Sequence, residues 1–247
     1  MTLLAVEHLE KSFAGVDAVA DVSFVLAPGE VLAMIGPNGA GKSTCFNMLN
    51  GQLHPDRGKV FLAGTDITGL PPRVVWRLGV GLSFQVAATF ASMTARENVQ
   101  MALLSHARDV WRFFRAATAL HREQAEQLLA RLGMADQAVR PAAKLAYGDL
   151  KRLELAMALA SEPTLLLMDE PTAGMAPAER TQLMALVRQL ATEKNLAVLF
   201  TEHDMDVVFA TADRILVLDR GKLIAEGPPA AIRADKKVRA VYLGDDF

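Results

Sequence analysis

The chain has 247 residues, 51% of them hydrophobic and 22% charged, enough for one large domain with a sizeable core and inconsistent with disorder. A formal net charge of -2 calls for no polyanionic partner, so no nucleic acid is expected. The single cysteine, Cys45, excludes a disulfide framework and a zinc ribbon and suits a reducing compartment. The opening MTLLAVEHLEKSF carries acidic residues early and no long apolar run, so it does not read as a signal peptide. The most apolar runs, TLLLM and LAVLF, are too short to span a bilayer. Work at a membrane would require other chains to hold this one there.

In chain order, residues 3 to 35 read as strands separated by turn signals: LLAVEHLEKSF, VADVSFVLAPGE and VLAMIG. A helical pattern starts at Lys42 and stops near Gly51. GKVFLAGTDI reads as a hairpin turning at Ala63-Gly64, LPPRVVWRLG as a short helix with prolines at its entry, and GVGLSF as a strand. Residues 94 to 140 are helical in period and rich in Ala, Arg and Gln, and HREQAEQLLARLG ends at a glycine. This stretch reads as a helical piece inserted into an α/β core. The core resumes with the strand TLLLMDE, the helix PAERTQLMALVRQLATEKN, the strand LAVLFTEH, a short helix and the strand RILVLDRG. Strands alternating with helices predict a largely parallel sheet covered on both faces, with an antiparallel β part at the N-terminus.

GPNGAGKST, Gly36 to Thr44, fits the spacing G-x-x-x-x-G-K-[ST], follows the apolar strand VLAMI and opens a helix. Glycines let the backbone wrap a phosphate chain with its N–H groups inward, and the helix start adds a positive dipole end. Lys42 would reach the β/γ-phosphates of a nucleotide, and the Ser43 hydroxyl would hold Mg²⁺. Asp169 ends the strand TLLLMD, where a carboxylate suits a partner of Mg²⁺, and the adjacent Glu170 can polarise an attacking water.

Four further pieces stand in order around these. Gln85 ends GVGLSFQ, LAYGDLKRLELA follows the helical insert, PTAGMAP follows Glu170, and His203 ends LAVLFTEH. The order resembles the ATP-binding subunits of ABC transporters over essentially the whole chain. The resemblance implies one α/β domain spanning 1-247: a P-loop NTPase core with a mixed or parallel sheet and an N-terminal antiparallel β part (1-85 and 163-247), and an inserted α-helical signature subdomain (86-162). It implies ATP and Mg²⁺ as ligands. Phe13 is similar to the aromatic that stacks on adenine. Asn38, Gly39, Ala40, Gly41, Lys42, Ser43 and Thr44 would hold the phosphates. Ser43, Gln85 and Asp169 would meet the metal, Glu170 would be the general base and His203 the switch residue on the γ-phosphate. Gln85 would also touch the attacking water and report to the membrane subunits. The signature loop, with Ala146, Tyr147, Gly148 and Asp149, would close the site on a second subunit.

Tyr147-Gly148 stands where many relatives have Gly-Gly. KRLELAMALA, the GMAP turn and VRAVYLGDDF resemble the ATPases of branched-chain amino acid and urea importers. The last of these also resembles the ATPase of lipopolysaccharide extraction. WRFFR, Trp111 to Arg115, reads as a helix packing an aromatic face on the core in preference to a nucleic-acid or lipid contact.

Two departures stand out. The signature usually begins Leu-Ser-Gly-Gly-Gln, so Ala146 removes a hydroxyl expected on the γ-phosphate; Asp149 brings a negative charge there, while the N–H groups of Tyr147 and Gly148 remain. Ala176 replaces the usual aspartate of the coupling loop. Both lie on surfaces that act in trans, so pairing with a different ATPase subunit is expected. The implied activity is ATP hydrolysis driving import of a small polar solute, with branched-chain or other amino acids foremost. Urea import, lipopolysaccharide-type export, a non-transport ABC ATPase and a weakly catalytic scaffold are the alternatives. The implied partners are transmembrane permease subunits and, indirectly, an extracytoplasmic solute-binding protein, which places the chain peripherally on the cytoplasmic face of the inner membrane.

Overall fold

The computed structural model describes residues 2–83, 89–107 and 121–243. Its centre is a short, fully buried strand, β3 (Val31–Ile35), whose five residues are all apolar and have no solvent exposure. Strand alternation sends Val31, Ala33 and Ile35 to one face and Leu32 and Met34 to the other, and the two sets belong to separate core clusters. The same division holds along β7 (Leu165–Asp169), β8 (Ala197–Thr201) and β9 (Arg214–Asp219). With both faces covered, these strands read as continuous apolar runs, as parallel sheets require.

Together with β6 (Val80–Ser83) and β10 (Lys222–Gly227), they form a six-stranded sheet in the order β10-β9-β3-β8-β7-β6. All pairings are parallel except β10 on β9. One face is covered by α4 (Arg122–Arg131), α5 (Tyr147–Leu159), α6 (Pro177–Lys194) and α7 (Met205–Thr211). The other carries α1 (Lys42–Leu49) and a second, antiparallel sheet. That sheet runs β2-β1-β4-β5, from β1 (Leu4–Phe13), β2 (Val16–Leu26), β4 (Arg57–Leu62) and β5 (Thr65–Asp66). The expected N-terminal antiparallel part is therefore a separate layer. Its two long strands pair with several register shifts, and His8 and Asp21 sit at positive φ beside them.

The short helix α2 (Pro72–Arg77) has Pro72 in its first turn. Helix α3 (Ala95–Ala107) packs against α4 and α5. Asp204 caps α7 through its carboxylate, which accepts the N–H groups of Asp206 and Val207. One strand and its successors escaped the sequence reading: β10, followed by α8 (Pro229–Ala234) and α9 (Lys236–Val238). Leu223, Ile224 and Ala225 are half-buried while Lys222 and Glu226 are exposed, so neither an apolar run nor a clean alternation marks it. Among the described residues no helix is long and apolar enough to cross a membrane.

Candidate functional site

The strand order places the C-terminal ends of β3, β7 and β8 side by side, and the residues singled out in the sequence emerge there. The loop after β3 enters α1 through Gly41, which caps the helix at φ 100. A Cβ on Gly41 would lie 2.3 Å from the Ala18 carbonyl oxygen of β2, so only glycine fits. Asn38 and Gly39 form the exposed tip, Ala40 is buried, and Ser43 and Thr44 lie on the first turn of α1 with Ser43 exposed. The Lys42 ammonium donates to the carbonyl oxygens of Gly36 at 2.6 Å and Pro37 at 3.1 Å. Burial pulls Lys42 below its ordinary range, and the nearby charges of Glu170 and Asp169 act in the opposite direction.

A distant turn fastens this loop. The Gly221 N–H donates to the Ala40 carbonyl at 3.0 Å, and the Gly221 carbonyl accepts the Ala20 N–H of β2 at 2.8 Å. Burial pushes the Tyr242 hydroxyl up, the Glu202 charge adds to this, a hydrogen bond from the Gly36 backbone opposes it, and the Glu170 charge adds again. The turn at Arg239–Leu243 therefore lies near the first glycine of the loop.

Asp169 and Glu170 leave β7 next to Thr201 of β8. The buried Thr201 hydroxyl donates to Asp169 Oδ1 at 2.5 Å and accepts the Glu170 N–H at 3.0 Å, while the Thr201 carbonyl accepts the same N–H at 3.2 Å. Glu170 is held at φ 47, a left-handed conformation that costs a non-glycine residue about 1–2 kcal/mol. Its carboxylate meets His203 Nε2 at 2.9 Å, with an Nε2–H donor accounting for the contact. Beneath them the buried Glu202 carboxylate accepts the Thr172 N–H at 2.8 Å, the Thr172 hydroxyl at 2.5 Å and the His203 N–H at 3.1 Å.

Phe13 ends β1 at the tip of the hairpin whose β2 strand touches Gly41, and it is 47% exposed beside the cross-strand Val16. The Lys11 ammonium lies 5.6 Å from its ring centroid. Ala146 is the N-cap of α5, and no side chain among the described residues caps that end. The N–H groups of Tyr147, Gly148 and Asp149 therefore open the helix without a capping oxygen. Asp149 lies 3.8 Å from Arg152 in an i, i+3 pair, so its charge has a cationic neighbour on its own helix. Ala176 is the N-cap of α6; its N–H is taken by Glu179 at 3.3 Å. Gln85 and the WRFFR run lie outside the described residues.

The donor set suits a magnesium nucleotide. Loop N–H groups, a lysine and an aromatic plane offer phosphate and base contacts, and a helix-start hydroxyl with one strand-end carboxylate is what Mg²⁺ takes alongside phosphate oxygens. Residues 19–173 match the family model described as ABC transporter, and residues 222–247 match that of the branched-chain amino acid ATP-binding cassette transporter. The chain is 38% identical over 250 residues to the high-affinity branched-chain amino acid transport ATP-binding protein LivG of Escherichia coli K12, covering 98% of each.

The chain belongs to the ABC transporter family.

The lipopolysaccharide export system ATP-binding protein LptB of Acidithiobacillus ferridurans is 37% identical over 245 residues, covering 99% of this chain and 98% of that one. A crystal structure of the ADP conformation of an ABC transporter's ATP-binding cassette superposes with a TM-score of 0.87 at 31% identity, covering 99% of this chain and 100% of that one. The protein is thus an ATP-binding ABC subunit and an ATPase, as expected from its motifs. Within this ABC site, sequence reasoning missed Thr201, Glu202, Gly221 and Tyr242. Glu202 carried a usable signal: an acidic residue one step past an apolar strand, beside a histidine, in TEH.

Proposed function

We propose that this subunit hydrolyses magnesium-bound ATP to drive import of branched-chain amino acids. Lys42 and the N–H groups of residues 38–44 hold the phosphates, and Phe13 stacks on the adenine. Ser43, Asp169 and Gln85 hold the metal. Glu170 takes a proton from the attacking water, and His203 orients it and reads the γ-phosphate. The observation that carries the reading is the Glu170–His203 contact at 2.9 Å, on strand ends whose carboxylates act on Lys42. The solute rests on the likeness to LivG and on the C-terminal match at residues 222–247. The division into a core (1-85 and 163-247) and a helical subdomain (86-162) is part of the same reading.

In this reading the subunit sits on the cytoplasmic face of the membrane against permease subunits, which a solute-binding protein serves from the other side. Its dimer partner is a different ATPase chain. Ala146 offers no hydroxyl to the partner's nucleotide and Ala176 no carboxylate to the coupling loop, so a partner with both completes the site built on Lys42 and Glu170. A second reading, lipopolysaccharide-type export, is favoured by the likeness to LptB.

The test is Glu170→Gln in the complex purified from membranes. Retained ATP binding with stalled turnover is expected, and wild-type turnover removes Glu170 as the base. In the same preparation, two distinct ATPase chains and turnover stimulated by a branched-chain amino acid with its binding protein support the import reading. A homodimer with two equally active sites removes the mixed pairing.

A further inference from the structure

We propose that Tyr147 is a positioning residue for Glu170: its hydroxyl ties the opening turn of α5 to the loop that follows the base. The inference rests on Glu170 acting as base. In the proposed reading Tyr147 belongs to the turn that faces a second subunit's nucleotide, yet its hydroxyl is turned back into its own subunit, donating to the Ala173 carbonyl at 3.0 Å. Ala173 in turn donates its N–H to the Glu170 carbonyl at 3.2 Å, which closes a tight turn over residues 170–173. Glu170 begins that turn at φ 47, so its backbone persists only where its surroundings over-determine it. Thr201 grips the turn at the Glu170 N–H and Glu202 grips it at Thr172. Tyr147 grips it at Ala173, and of the three it alone comes from the helical signature element.

The side chain is itself held. Its ring lies where a Cβ on Gly174 would be 3.3 Å away, so glycine at 174 lets the ring approach the loop. The Lys151 ammonium lies 5.7 Å from the ring centroid, within range of a cation–π contact. Lys151 is fixed by Glu154 at 3.1 Å, and both side chains are buried. A second contact spans the other end of the loop. Glu179, which accepts the Ala176 N–H, occupies the space beside Gly148, where a Cβ would be 2.9 Å from its carboxylate oxygen. The turn that faces a neighbour's nucleotide and the turn that aims this subunit's own base are therefore joined by short contacts at both ends of residues 173–176.

Tyr147→Phe keeps the ring and removes only the hydroxyl. In the purified full-length protein with its assembled partners, kcat should fall about three- to tenfold, the scale of one lost hydrogen bond in the barrier, with KM for ATP within about twofold of wild type. The melting temperature should stay within a few degrees. The decisive arm is the pair with Glu170→Gln. Tyr147→Phe should cost the Glu170→Gln protein clearly less than it costs wild type, because an effect that runs through the carboxylate has little left to act on once the carboxylate is gone. An unchanged kcat, a rise in KM alone, a collapse of thermal stability or a loss in the double variant as large as that in wild type each overturns the proposal. Wild-type turnover in Glu170→Gln alone instead overturns the assignment of the base.

Discussion

Thr201→Val removes one hydroxyl and nothing else of the side chain's shape. That hydroxyl makes two bonds, to Asp169 Oδ1 at 2.5 Å and from the Glu170 N–H at 3.0 Å. The bond to a carboxylate is worth about 1.5–3 kcal/mol, and the neutral one about 0.5–1.5. The second falls at the low end, because the Thr201 carbonyl keeps the Glu170 N–H at 3.2 Å. A buried methyl in place of the hydroxyl returns up to about 0.8 kcal/mol. The net expectation is a loss of about 1.5–3 kcal/mol, which for a chain of this length lowers the melting temperature by roughly 3–12 °C. ATP hydrolysis should fall as well, because the Glu170 backbone loses one of its anchors. Equilibrium binding of a fluorescent ATP analogue should hold, since the Lys42 contacts lie on another loop. Thr201→Ser should retain both properties. A valine variant that melts within a degree of wild type and turns over at its rate would refute the reasoning.

Cys45 is buried and its thiol is pushed up to about 12 by that burial. The unfolded chain ionises the thiol near its ordinary 9.0 while the fold keeps it protonated, so the folded state loses stability as pH rises through that window. Urea midpoints measured from pH 8 to 10.5 should fall more steeply for wild type than for Cys45→Ala. A thiol reagent should react with the native protein only as fast as it opens, and inactivation that ATP fails to slow would contradict a packed role. Ala176→Asp should raise stability by about 1 kcal/mol, since the N-cap of α6 already has extended backbone at φ -67 and ψ 150; a melting curve decides. Phe13→Ala should raise KM for ATP with little change in melting temperature, because the ring is exposed.

The phosphate loop was legible because its chemistry is local: the spacing of Gly36, Gly41 and Lys42 dictates both the turn and the helix that follows. Asp169, Glu170 and His203 were legible because each sits at the end of an apolar run. The parts that sequence could not supply are long-range. Thr201 and Glu202 act on residues about thirty positions upstream, and nothing in TEH announces which strand lies beside it. Tyr147 was visible as a departure from the family's glycine, but the bond to Ala173 depends on how α5 lies against the loop. The antiparallel layer was expected as a type and not as a separate sheet, because pairing partners are not written in a strand's own pattern.

The bridge made by Gly221 bears on where this protein can be cut. Every recognised nucleotide motif ends by His203, so a fragment stopping there would carry a complete inventory of them. Such a fragment would lack the strap from Gly221 to Ala40 and Ala20, and with it one hydrogen-bonded link between the phosphate loop and the antiparallel sheet. It would also lack β9, which flanks β3 along the sheet. A piece able to hold a nucleotide should therefore extend at least through the turn at residues 220–221, well past the last motif. Protease nicks in that turn should release bound nucleotide while leaving all the motif residues intact.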